Sequence, residues 1–126
     1  MTTMVCFQAG GAAYCLPLEA TRSVCRADAL IPLPDPAVDI AGIIPGDPPL
    51  TVISPLQRDG RHILVIEADD KTFGLLVDLV TGLQRFDDGA IRPAPQGQGR
   101  PLVSGTLDCD DHLVFVADPL ALAGRL

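Results

Sequence analysis

Twelve glycines and twelve prolines are spread so evenly through this chain that no long helix can survive between them. The pieces they leave are short, apolar and rich in β-branched residues, as strands prefer. Strands are expected at Met4 to Ala9, Ala12 to Leu16, Ser23 to Arg26, Ile40 to Ile44, Leu50 to Ile53 and His62 to Ala68. Four more follow at Thr72 to Val77, Asp78 to Phe86, Leu102 to Leu107 and His112 to Ala117. Gly10-Gly11, Asp69-Asp70-Lys71 and Asp108 to Asp111 supply turns between neighbours. Asp118 can cap a short final helix with Pro119 at its first position. Roughly ten short strands at close spacing indicate an all-β sandwich or barrel.

Two stretches resist regular structure. Leu30 to Pro36 carries three prolines, which suit an extended connector and exclude a central strand. Ile91 to Arg100 is a loop rich in Pro, Gly and Gln. The run Ile63-Leu64-Val65-Ile66 does not alternate with polar residues, so its strand is expected to be covered on both faces. No repeat of fixed period and no large shift in composition divides the chain. It reads as one domain over 1–126, with the polar turn near residue 60 dividing two subdomains.

Hydrophobic residues make up 48% of the chain, which excludes wholesale disorder. Sixteen acids against nine Lys and Arg give a net charge of −7, which disfavours nucleic acid and anionic membrane surfaces as partners. The first four residues carry no basic side chain, and no run approaches the ~18 apolar residues of a membrane span. The expected setting is the cytosol, with no membrane insertion.

Chemistry-bearing residues are few and scattered. The cysteines at 6, 15, 25 and 109 include no C-x-x-C pair, which weakens a zinc reading. If Gly10-Gly11 forms a two-residue turn, Cys6 and Cys15 face each other across the hairpin. Two buried thiols in a reducing cytosol are expected there rather than a disulfide. The pairs Asp69-Asp70, Asp87-Asp88 and Asp110-Asp111 could offer oxygens to a hard cation, but Asp also favours turns by bonding its own backbone. Turn formation is the expectation. His62 and His112 open strands without evident partners. Asp78, set among apolar neighbours, is expected to be partly buried and so to need a hydrogen bond, a cation or a contact. No nucleophile, base or metal set forms a recognisable catalytic arrangement, so neither an enzyme nor a cofactor is expected.

Taken in order, these pieces resemble the CheW-like family of chemotaxis adaptors. The opening Phe7-Gln8-Ala9-Gly10, then Tyr14-Cys15-Leu16-Pro17-Leu18, is similar to the family's first hairpin. Prolines precede Ile40-Ala41-Gly42-Ile43-Ile44 as they do in the family. The most specific pair is Phe73-Gly74-Leu75-Leu76-Val77-Asp78-Leu79-Val80 with Ile91-Arg92-Pro93-Ala94-Pro95 downstream. Val103-Ser104-Gly105 and Leu113-Val114-Phe115-Val116-Ala117-Asp118 complete a resemblance that covers nearly the whole chain.

The resemblance implies two small, five-stranded SH3-like β-barrels sharing one core, with a short C-terminal helix. It implies a non-enzymatic adaptor without cofactor or metal. The implied partners are the regulatory domain of a CheA-type histidine kinase, docked end to end, and the cytoplasmic tip of a methyl-accepting chemoreceptor, held in a groove. Self-association is a further implied contact. Candidate partner-binding residues are Thr21, Ser23, Gly42, Gly46, Asp47, Val77 and Asp78. Two departures bear on the receptor side. Gly46-Asp47 stands where the family usually has Arg-Gly, and Thr21-Arg22-Ser23 stands where it often has Val-x-Glu. Neither Gly nor Asp can replace the donors of an Arg. They open an alternative: a divergent regulator of the same fold that has lost receptor coupling and binds another protein, a small molecule or a metal.

Overall fold

Hairpin turns form where two adjacent residues accept positive φ. Gly10 and Gly11 do so at 57° and 80°, Asp69 and Asp70 at 54° and 58°, and Asp110 and Asp111 at 50° and 64°. This is the two-residue turn whose twist matches the flanking strands, and Asp tolerates it better than most side chains. Asp87 acts differently, accepting a hydrogen bond from the Gly89 amide at 3.1 Å to start a 3-10 turn. All three acidic pairs are thus turn residues.

The computed structural model describes residues 1–33, 39–57, 59–94 and 102–126. Its strands are β1 (Thr2–Ala9), β2 (Ala12–Pro17), β3 (Thr21–Arg26), β4 (Ile31–Pro32), β5 (Ile40–Ile44) and β6 (Leu50–Ile53). They continue as β7 (His62–Ala68), β8 (Lys71–Val77), β9 (Leu79–Phe86), β10 (Arg92–Pro93), β11 (Val103–Cys109) and β12 (His112–Ala117). The helix α1 (Pro119–Ala123) starts at Asp118, whose side chain accepts from the Leu120 amide at 3.0 Å. Of the connectors read from the sequence, 34–36 in the first and 95–100 in the second lie outside the described residues.

Two six-stranded sheets result, ordered β10-β11-β12-β2-β1-β9 and β3-β7-β8-β6-β5-β4. The first takes residues from both ends of the chain. The second takes the middle, and the turn near residue 60 joins β6 to β7 within it. Both sheets follow one plan. A two-residue edge strand pairs with a hairpin (β10 with β11-β12, β4 with β5-β6). A parallel join then leads to a second hairpin pair, β12 to β2 and β6 to β8. The correspondence extends to single residues. Gly105 lies opposite Pro93 and Gly42 opposite Pro32, each next to a register shift. A Cβ on Gly105 would meet the Arg92 carbonyl oxygen at 2.6 Å, and one on Gly42 would collide with the carbonyl oxygen of Ile31.

The expected closed, five-stranded SH3-like barrels do not form. Closure would need a backbone ladder between β9 and β10, and between β3 and β4, and each sheet keeps these strands as separate edges. The physical reason lies in β4 and β10. Each is two residues long and contains a proline, which has no N–H to donate to a further ladder. Across the gap in the first sheet the chain makes a side-chain contact instead, Gln84 Nε2 donating to Cys109 Sγ at 3.2 Å.

Burial on both faces explains the apolar runs. Val5, Phe7, Tyr14 and Leu16 of the first sheet pack against Ile53, Leu64, Ile66, Phe73, Leu75 and Val77 of the second. The alternate residues turn the other way. Met4, Cys15, Phe86, Leu107, Val114 and Val116 form a cluster belonging to the first sheet. Val52, Ile63 and Leu76 form one belonging to the second. Leu122 and Ala123 of α1 join the shared core. Arg125 beyond the helix donates to Asp39 at 2.8 Å, tying the chain's last turn to the approach to β5.

The paired glycines give a test. Gly42→Ala and Gly105→Ala should each destabilise the protein by roughly 1–3 kcal/mol, because a backbone carbonyl has no room to retreat. Gly89→Ala, with its nearest contact at 3.7 Å, should stay within about 0.5 kcal/mol. Urea denaturation of the three variants measures the difference.

Candidate functional site: an apolar groove between two sheet edges

The outer edges of the two sheets, β3 and β9, face one another across a groove of about 280 Å³. Its floor is the buried pair Val5 and Leu64, from the shared core. One wall is Leu18, from the 3-10 turn after β2, with Thr21, Ser23 and Val24 of β3. The other is Val80, Gly82 and Leu83 of β9. The apolar rim is well exposed, with Leu83 at 63%, Val24 at 45% and Leu18 at 42%. Leu79, at the start of β9, is exposed to a similar degree.

Local structure explains why these side chains face solvent. The ladder between β1 and β9 slips at Cys6/Phe7, so that Thr81 has no partner and Gly82 takes φ 142°. Thr81 Oγ1 donates to the Cys6 carbonyl at 3.1 Å and holds this bulge in place. A bulge re-aims the residues around it and spoils the edge for further strand pairing. On the opposite wall Thr21 Oγ1 donates to the Leu18 carbonyl at 2.8 Å, fixing the turn that presents Leu18.

One ion pair borders the groove. Arg22 Nε lies 2.7 Å from Glu67 Oε2. The hydrogen bond from Arg22 and then its charge hold the Glu67 carboxyl below the usual glutamate range, and Glu67 raises Arg22 in return. Both side chains are exposed, so the pair orients the rim more than it stabilises the fold.

The seven residues singled out from the sequence do not gather at one place. Thr21 and Ser23 line the groove. Gly46 and Asp47 are exposed in the β5–β6 hairpin, where the Asp47–Pro48 peptide is cis, and they are not among the groove's lining residues. Gly42 and Val77 are buried, so a charged side chain at either would disturb the fold before it met a partner. Asp78, expected to be partly buried, is exposed at the mouth of the first sheet. Its amide donates to the Gln8 carbonyl at 2.9 Å, and its carbonyl lies 3.0 Å from His62 Nδ1. Its backbone, not its carboxylate, does the holding. Among the described residues no three His, Cys, Asp or Glu side chains come together as a metal site would need.

Leu18, Val24, Leu79 and Leu83 were not picked out by the sequence. An apolar residue in a β-rich pattern reads as core, and only the placement of β3 and β9 at facing edges turns these outward.

An open-edged, two-sheet β domain with an apolar groove has the build of a docking module. The chain belongs to the CheW-like domain family, which matches over residues 36–126. That membership gives its general role, a non-catalytic scaffold or adaptor in chemotaxis signal transduction. In structure it is similar to the scaffolding protein TtCheW from Thermoanaerobacter tengcongensis, with a TM-score of 0.82 at 22% identity. The match covers 96% of this chain and 91% of that one. At that identity the likeness concerns the fold. No curated protein matches the chain in sequence. Among the described residues no helix is long and apolar enough to cross a membrane.

The rim ion pair predicts a titration. Because the Glu67 pKa is depressed in the folded state, the pair's contribution is present above the normal glutamate pKa. It is lost as pH falls through the lower, folded value. NMR of the Glu67 side chain should give a midpoint below that of an unpaired glutamate, and Arg22→Ala should return it to the ordinary range.

Proposed function

We propose that this protein couples methyl-accepting chemoreceptors to a CheA-type histidine kinase in the cytoplasm, using two separate surfaces. The observation that carries the proposal is the apolar groove between β3 and β9, in a chain of the CheW-like family. Leu18, Val24 and Leu83 stand along it as exposed apolar anchors, which suits the apolar stripe of an amphipathic helix from a receptor tip. Thr21 and Ser23, where the family often carries Val and Glu, are small and uncharged, and the charge of Arg22 between them is already paired with Glu67. The groove therefore grips by apolar contact more than by ion pairing.

The kinase surface belongs to the outer end of the second sheet, on the short edge β4 and the β5–β6 hairpin. Ile31 is 49% exposed there, and Gly46 and Asp47, expected on the receptor side from the family's pattern, form the hairpin tip outside the groove and so belong to this surface instead. The stretch from Ala27 to Gln57 has no Lys or Arg, and its charged side chains, Asp28, Asp35, Asp39 and Asp47, are all acidic. A basic and apolar end of the kinase regulatory domain would complement it. Gly42 and Val77 contribute from beneath by shaping β5 and the end of β8. Asp78 lies outside both surfaces.

Binding of the purified protein to a receptor-tip helical hairpin and to a kinase regulatory domain separates the two surfaces. Leu83→Glu should weaken receptor-tip binding by about tenfold or more, a loss of about 1.4 kcal/mol, and leave kinase affinity within about twofold. Asp47→Arg should do the reverse. If the unaltered protein binds neither partner in calorimetry, the coupling role is wrong. If Leu83→Glu leaves receptor binding intact, the groove is not the receptor site.

A further inference from the structure

The first sheet carries three of the four cysteines on one face, and the adaptor role uses none of them. Cys6 and Cys15 are direct partners across the β1–β2 hairpin. Cys15 is fully buried in the first sheet's own cluster, and Cys6 and Cys109 pack against that cluster while remaining partly exposed. Cys6 and Cys109 both border the open cleft of about 630 Å³ at the mouth of this sheet, where the barrel fails to close, and Cys15 does not. Gln84 reaches across this gap. It is the partner of Met4, two residues from Cys6, so Met4, Cys6 and Gln84 share a face. From there its amide reaches Cys109 Sγ at 3.2 Å. The sulfur at the end of β11 therefore borders the same cleft as Cys6, near enough that, after burial, it pushes the Cys6 thiol up, although 102 residues separate the two in sequence.

We propose that Cys6 and Cys109 form a peroxide-sensitive thiol pair whose disulfide straps the open mouth of the first sheet shut. Cys109 reacts first. It is partly exposed at the start of the hairpin turn, Gln84 donates to its sulfur, and His112 is its direct strand partner in the same cleft. The thiolate is the form that attacks. The thiolate displaces hydroxide from hydrogen peroxide, breaking the O–O bond and forming a sulfenic acid. The Cys6 sulfur then attacks the Cys109 sulfur. An S–S bond forms, the S–O bond breaks, and the leaving hydroxide and the Cys6 proton depart as water. One peroxide is reduced to two waters, and two thiols are oxidised by two electrons.

Cys15 does not compete. Burial, and after it the neighbouring Cys6 and Cys109, push its thiol up to about 12, so it stays protonated and enclosed. Cys25 packs in the cluster of the other sheet.

Treating the folded protein with a few equivalents of hydrogen peroxide, then mapping its peptides by mass spectrometry, tests the proposal. The expected result is a linked peptide pair containing Cys6 and Cys109, with Cys15 and Cys25 still reduced. Cys6→Ser should stop at the sulfenic acid, captured on Cys109 by dimedone, while Cys15→Ser should still form the bond. A strap across so long a stretch of chain should raise Tm by about 4 °C or more, reversibly with dithiothreitol. A Cys6–Cys15 bond, a Cys109-linked dimer or four surviving thiols would each overturn it. Receptor and kinase binding do not enter the measurement, so the result stands apart from the adaptor role.

Discussion

A sheet that is apolar on both faces has two surfaces to hide and only one neighbour to hide them against. In this protein the two sheets press one face each into a shared core built on Phe7, Tyr14, Leu64, Ile66, Phe73 and Leu75. The remaining faces cover clusters of their own, around Cys15 and Leu107 in one sheet and Ile63 and Leu76 in the other. Everything of functional interest follows from where that arrangement leaves an edge. The two-residue strands β4 and β10, each ended by proline, cannot carry the ladder round to β3 and β9. The outer edges therefore stay open and face each other across the shared core. The groove is what remains between them.

The second consequence is a division of labour among glycines. Gly42 and Gly105 occupy equivalent places in the two sheets, each pressed against a carbonyl of its short edge strand. The two halves are built to one plan although their sequences share no evident period. Ile40-Ala41-Gly42 and Val103-Ser104-Gly105 are the faint trace of it. Gly42 belongs to this structural pair and is buried, so any bearing it has on a partner acts through the shape of β5.

Much of the fold was legible in the residues themselves. Turn chemistry at Gly10-Gly11, Asp69-Asp70 and Asp110-Asp111, with β-branched runs between, located ten of the twelve strands among the described residues within a residue or two. The two it missed, β4 and β10, are too short to show any periodicity, and they decide between a closed barrel and an open sheet. Asp78 departs from its expected burial for a related reason. Apolar neighbours in sequence suggested burial, but it falls where β8 hands over to β9 and the chain passes from one sheet to the other. The groove was half legible. Thr21 and Ser23, singled out through the family's pattern, fall on its wall. Leu18, Val24 and Leu83 look like core residues until the topology places their strands at facing edges.

The bulge at Thr81 and Gly82 also limits what can occupy that groove. A free sheet edge ordinarily welcomes any extended peptide, which needs only a row of backbone groups to continue the ladder. On β9 the looped-out threonine breaks that row midway and spends its hydroxyl on the neighbouring strand. What survives is a line of oily side chains without a backbone template beneath it. Such a surface offers an extended strand little to pair with, and in the proposed docking role it suits ligands that arrive with their own hydrogen bonds already made.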